Sequence, residues 1–181
     1  SMTEEPEAAK RRTAYLPEQP PLYPDMTVEE YLSFAAALKR VPARDREEEL
    51  ERVAGLTMLT GVEGRLIRNL SKGYRQRVGI AQALLGDPEI VILDEPTVGL
   101  DPKQIIEIRT LIRDLARAHT VILSSHILAE VQAVCDRILI IHHGRMVASG
   151  TPEELEQDLA GDCFLQVTLQ TGAERGLALL R

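Results

Sequence analysis

Asp94 and Glu95 are adjacent carboxylates at the end of the unbroken aliphatic run Ile90-Val91-Ile92-Leu93, and Pro96 follows them directly. Such a run suits a central parallel strand covered on both faces. In open α/β sheets ligands bind outside the carboxyl ends of the strands, so a carboxylate pair at that place is positioned for catalysis rather than for solvation. A second strand, TVILSS from Thr120 to Ser125, ends at His126 on the same edge. A lone histidine is usually structural, and its position is what singles this one out. Farther upstream, Ser71 is a good N-cap, and with the amides of Lys72 and Gly73 it forms an anion site at a helix N-terminus. A plain cap is compatible with the same residue.

These groups need elements to hold them. After Ser71, apolar positions at Val78, Ala81, Leu84 and Leu85 recur at helical spacing until Gly86 and Pro88 end a helix of about four turns. Nearer the N-terminus, Thr13–Leu16 reads as a short strand, and Pro17, Pro20, Pro21 and Pro24 force the following segment into an extended loop. Thr27-Val28-Glu29-Glu30 is a capping box, and Tyr31, Leu32, Ala35 and Leu38 line one face of the helix it starts. A helix near Asp45–Gly55 turns Leu50 and Val53 inward, while its Arg and Glu residues read as a solvated face with intrahelical pairs. With the Ser71 helix these two make a small, mostly α-helical unit.

Beyond the acidic pair, Asp101 caps a helix with Pro102 at its first position, the return of a βαβ crossover through Ile105, Ile108, Leu111, Ile112 and Leu115. A helix at Leu128–Val134, a strand at Arg137–His142 and a hairpin through His143-Gly144-Arg145 to Met146–Ala148 then close the sheet edge. Thr151–Glu154 begins a short helix, Cys163–Leu169 alternates like an exposed strand, and Ala173 starts an element cut off at Arg181. The expected division is a lead-in and loop over 1–26, the helical unit over 27–88, the α/β part over 89–150 and the start of a C-terminal extension over 151–181.

The stretches LSKGY, IVILDE and VGLDP occur in this order between Leu70 and Pro102, and SSHI follows at Ser124. LSKGY resembles the signature motif of ATP-binding cassette (ABC) proteins, IVILDE their Walker B strand, VGLDP the D-loop and SSHI the switch-histidine motif. YLPEQPPLYPDMTV from Tyr15 is similar to their Q-loop region, with Glu18 where the family usually has Gln. The type it resembles is the ATP-binding subunit of a bacterial multidrug- or gliding-type exporter. That resemblance implies an α/β fold, the C-terminal part of a P-loop NTPase core with parallel strands and flanking helices plus a small α-helical subdomain.

It also implies roles. Asp94 would hold Mg²⁺ through water, Glu95 would orient or deprotonate the attacking water, and His126 would contact the γ-phosphate of ATP. Ser71, Lys72 and Gly73 would serve the nucleotide held by a second ATP-binding subunit. Leu100 and Asp101 would contact that partner's site, although Asp101 serves equally as a helix cap. Whether Glu18 or Gln19 touches the metal and water stays open. The other implied partner is a transmembrane permease subunit or domain, which would place the chain in the cytoplasm, on the inner face of the membrane.

Composition agrees with this direction. The 181 residues carry 21 Lys+Arg against 28 Asp+Glu, and a net charge of −7 argues against a nucleic-acid-binding surface as the main business. The longest run without a charged residue, Ala118–Ala129, is shorter than the ~20 apolar residues of a spanning helix. Cys135 and Cys163 stand in no metal-like spacing, which fits a reducing compartment and no structural metal. Ser1-Met2 reads as a remnant preceding the first native codon. None of Lys10, Lys39, Lys72 or Lys103 lies in a GxxxxGK[ST] phosphate loop. The expectation is therefore that the natural protein continues N-terminal to Ser1 and that this chain alone is inactive. The other classes are a non-transport ABC ATPase, of the chromosome-maintenance or translation type, and a non-catalytic module that docks a membrane subunit. Against the former stand the absence of flanking heptads and of a basic or tandem sequence.

Overall fold

The structure, a computed structural model, describes residues 5–159. The strand expected at Cys163–Leu169 and the element expected from Ala173 lie outside the described residues. By contacts the chain divides into two compact units, Ser1–Cys135 and Asp136–Arg181.

In the first unit a short helix, α1 (Pro6–Arg12), leads into β1 (Thr13–Leu16), and β2 (Ile90–Asp94) lies between β1 and β3 (Thr120–Ser124) in a three-stranded parallel sheet. The register sets Tyr15 opposite Ile92 and Ile92 opposite Ile122, and it pairs Asp94 with Ser124 at the carboxyl edge. Because side chains alternate, Ala14, Leu16, Val91 and Leu93 share one face, and all four are buried. The opposite face carries Tyr15 at 58% and Ile122 at 52% exposure, with Ile92 half-buried. The expected burial of this strand on both faces therefore holds for one face only. An aliphatic run reports that a strand is apolar on both sides, but not that both sides are covered within the same stretch of chain.

The helical unit forms as its caps dictate. Thr27 Oγ1 accepts from the Glu30 amide at 3.2 Å while Glu30 Oε2 accepts from the Thr27 amide at 2.8 Å, starting α2 (Val28–Leu38). Tyr31, Leu32 and Ala35 are buried as expected, but Leu38 is 67% exposed. The helix ends there, and Lys39, exposed along its stem, lays its amine on the carbonyls of Ala83 at 2.7 Å and Leu85 at 3.0 Å. Burial pushes the Lys39 ammonium down to about 8. Its target is the C-terminal end of α4 (Lys72–Leu84), whose last carbonyls have no partner within the helix. Arg52 of α3 (Arg46–Leu56) reaches the same end through Leu84 O at 3.0 Å and pairs with Glu49 at 2.8 Å. That pair, expected on a solvated face, is partly buried and serves as a cap.

Helix α4 packs against β1, and a Cβ on Gly79 would come within 2.8 Å of Leu16 and Pro20. Helix α5 (Pro102–Leu115) returns the chain to β3 after Asp101 Oδ1 accepts from the Gln104 amide at 2.9 Å. Ile108, Leu111, Ile112 and Leu115 join the core formed by α2, α4 and the sheet. Helix α6 (Leu128–Val134) follows β3.

In the second unit β4 (Ile138–His142) and β5 (Arg145–Gly150) pair antiparallel in a two-stranded sheet of their own, so the hairpin does not close the parallel sheet. His143 and Gly144, both at positive φ, make the two-residue turn that such a hairpin favours. A capping box between Thr151 and Glu154 starts α7 (Pro152–Leu159).

Candidate functional site

Asp94, Glu95 and His126 meet at the carboxyl edge of the parallel sheet. The Asp94 carboxylate accepts from Ser124 Oγ at 2.6 Å and from Tyr15 Oη at 3.1 Å. The second bond raises the Tyr15 phenol above its ordinary value. Glu95 sits just past the strand with its backbone at φ +45°, a conformation uncommon outside glycine. Its amide donates to both the carbonyl and the hydroxyl of Ser124, at 3.2 and 3.0 Å. His126 Nδ1 lies 3.0 Å from each Glu95 carboxylate oxygen. The Glu95 side chain is 21% exposed and that of His126 69%, so the imidazole faces outward while the carboxylate is recessed. The hydrogen bond and the charge of Glu95 raise the His126 imidazole above its usual range, and the charges of Glu130 and Glu18 add to this.

Glu18, on the exposed proline-rich loop, is thus within electrostatic reach of His126. Gln19, its neighbour, is exposed and carries no charge to act there. The other candidates form a separate group around the start of α4. Ser71 Oγ accepts from the Tyr74 amide at 3.3 Å. Lys72 Nζ occupies the place that a Cβ on Gly99 would take, and Gly99 is at φ +69°. A Cβ on Gly73 would come within 2.7 Å of Gln104 Cδ. Ser71, Lys72 and Gly73 are therefore gathered beside the turn that holds Gly99, Leu100 and Asp101.

Two residues of the first group, Tyr15 and Ser124, open quoted stretches yet carry no role from the resemblance. The available signal was period-two alternation. Once β1, β2 and β3 are aligned in parallel, Tyr15, Asp94 and Ser124 fall on one face of the sheet.

The donor set suits a hard divalent cation. Both donors to Asp94 are neutral hydroxyls, which leave the carboxylate charge for a metal to meet. Among the described residues no group of three or more His, Cys, Asp or Glu could hold a metal unaided. A Mg²⁺ ion does not require one, since it keeps several waters and binds through one or two carboxylates and substrate phosphates.

A family model, that of the ABC transporter, matches residues 1–98. The chain belongs to the ABC transporter family. An uncharacterised ABC transporter ATP-binding protein of Nostoc sp. is 45% identical over 150 residues, covering 81% of this chain and 44% of its own length. The linearmycin resistance ATP-binding protein LnrL of Bacillus subtilis is 36% identical, covering 96% and 56%. Among solved structures, cbiO1 of Clostridium perfringens, part of the ABC transporter complex cbiONQ, superimposes with a TM-score of 0.76. Its identity is 27%, and the match covers 83% of this chain and 61% of that one. The chain thus spans about half the length of these two curated relatives. In an ABC transporter ATP-binding protein, the α/β core with its parallel sheet and the helical unit are the expected parts. No described helix is long and apolar enough to cross a membrane.

Proposed function

We propose that this chain contributes the metal-binding and water-activating residues of an ATP-hydrolysing subunit that powers export through a membrane permease. The observation that carries the reading is the convergence of Asp94, Glu95 and His126 on one sheet edge in a chain of this family. Asp94 would hold Mg²⁺, which when bound would supply charge neutralisation at the phosphates of ATP. Glu95, recessed and hydrogen-bonded to an imidazole, orients or deprotonates the attacking water. His126, more exposed than Glu95, reaches toward the terminal phosphate. Glu18 or Gln19, on the loop that follows β1, is the candidate to meet the metal and water at this site.

Ser71, Lys72, Gly73, Leu100 and Asp101 form a second surface that serves a nucleotide held by a second ATP-binding subunit, and hydrolysis accordingly needs a dimer. The helix N-terminus at Ser71 suits an anion, and the neighbouring Lys72 amine adds positive charge. The subunit works at the cytoplasmic face through its permease partner. Export as the direction is supported by the resistance role in the name of the Bacillus subtilis relative.

The chain by itself does not turn over ATP, because no lysine in it belongs to a phosphate-cradling loop. The test compares purified chain with the same chain joined to an upstream GxxxxGK[ST] half. No Glu95-dependent hydrolysis is expected from the first, and clear hydrolysis from the second. Turnover by the isolated chain that Glu95→Gln abolishes would overturn this part of the reading.

Docking of the permease is assigned to the helical unit near the proline loop. Tyr23 is exposed and packs edge-on against Tyr31 at 6.0 Å and Phe34 at 5.7 Å, while Leu22 and Met26 fold partly onto the core. Tyr23 and Phe34 are thus the exposed part of this cluster, and Leu22 helps to support the loop. Replacing Leu22 and Tyr23 by Ala in the intact subunit is expected to weaken co-purification with the permease while basal ATPase stays within about twofold. Unchanged co-purification would place the docking site elsewhere.

A further inference from the structure

Ser124 is the last residue of β3 and stands opposite Asp94 in the parallel ladder. Its hydroxyl donates to Asp94 Oδ1 and at the same time accepts from the Glu95 amide, and its carbonyl accepts from that amide as well. Serine suits this place because a hydroxyl is both donor and acceptor. The amide it holds belongs to a residue at φ +45°, and a non-glycine residue keeps such a backbone only where its surroundings over-determine it. Tyr15 also donates to Asp94, through the other oxygen, and its bond does not involve Glu95.

We propose that Ser124 is a positioning residue that sets both carboxylates at once, fixing the Asp94 side chain directly and the Glu95 carboxylate through its backbone amide. This rests on the assignment of Asp94 and Glu95 to metal and water, but the geometric claim can be tested apart from that reading. Without the hydroxyl, Asp94 loses one of its two neutral donors and the Glu95 amide keeps only a carbonyl acceptor. The Glu95 backbone is then freer to leave its left-handed conformation and to carry the carboxylate away from His126.

The test uses the full chain with Ser124→Ala, Ser124→Thr and Tyr15→Phe. Loss of one acceptor is expected to speed hydrogen exchange at the Glu95 amide by about three- to tenfold in Ser124→Ala. The His126 titration, followed by NMR, is expected to move down toward the ordinary imidazole value. The groups acting on that ring are Glu95, Glu130 and Glu18, and the substitution alters the placement of the first. Ser124→Thr keeps the hydroxyl on a strand-compatible side chain and should restore both readouts, whereas Tyr15→Phe should leave the Glu95 amide unchanged. Should the Ala variant fail to fold, Ser124→Cys, a near-isosteric but weak hydrogen-bonding replacement, is expected to show the same losses. Wild-type exchange and titration in a folded Ser124→Ala or Ser124→Cys chain would overturn the proposal, as would an equal loss in Tyr15→Phe. If Glu95→Gln left hydrolysis by the joined protein untouched, the role of Glu95 would fall, and exchange at its amide would still decide the role of Ser124.

Discussion

Glu95→Gln, in the chain joined to a GxxxxGK[ST] half, is expected to bind nucleotide like the wild type and to hydrolyse it about 10²-fold more slowly or worse. Gln is nearly isosteric with Glu and still offers one oxygen to His126, now 3.0 Å from both carboxylate oxygens, so the fold and that contact have little reason to change. On the proposed role of Glu95, what is lost is the capacity to take a proton from water. The effect should therefore fall on kcat, with KM little altered. Asp94→Asn is the contrasting variant: it weakens the group assigned to the metal, so its defect should ease as Mg²⁺ is raised, whereas that of Glu95→Gln should not. Steady-state ATPase rates against Mg²⁺ and nucleotide concentration check both. Turnover by Glu95→Gln equal to wild type would remove Glu95 from the chemistry.

Local signals carried most of the elements. Ser71, Thr27 and Asp101 all act as N-caps through side-chain oxygens, because capping is decided within four residues of sequence. His126 was legible for a similar reason, since the end of a parallel strand in an α/β pattern has a predictable address. Where the structure departs from the local pattern, the deciding partner is distant in sequence. Leu38 has the helical spacing of a core residue, but α2 stops beside it, and the next contact to α4 is made by the Lys39 amine because the α4 carbonyls there need donors. The Arg52–Glu49 pair has the spacing of a surface pair, and only the packing of α3 on α4 turns it into a cap.

Within the site, the motif residues were legible and their supports were not. Tyr15 lies in a stretch singled out for the proline loop that follows it, and Ser124 lies beside a more conspicuous histidine. Both matter through strand register, which no local pattern specifies until the neighbouring strands are known. The contact of Lys72 with Gly99 is of the same kind. Its residues belong to two separate motifs, and only the fold brings the start of α4 onto the turn before α5.

Glu107→Ala is expected to destabilise the chain by about 2–3 kcal/mol, and Arg77→Met by clearly less, about 1 kcal/mol. Arg77 is a charged residue inside α4 with only 7% of its side chain exposed. Its Nη2 meets Glu107 Oε2 of α5 at 2.6 Å, and Nη1 donates to the Thr57 carbonyl at 3.1 Å. Removing one partner of a buried pair costs about 3–5 kcal/mol because it strands the other charge away from water. The two partners here are unequal. The Glu107 side chain is 37% exposed, so without Arg77 it turns to solvent, while Met refills the volume of the lost stem. Arg77 has no such exit: without Glu107 its guanidinium keeps only a neutral carbonyl, and partial access of water through the vacated place brings the cost below the fully buried limit. Urea unfolding followed by circular dichroism checks the order, with the midpoint shifted and the slope unchanged for a pure stability effect. A larger loss from Arg77→Met than from Glu107→Ala would mean that the link between α4 and α5 depends on the packing of the Arg77 stem and its bond to Thr57, with the charge of Glu107 secondary.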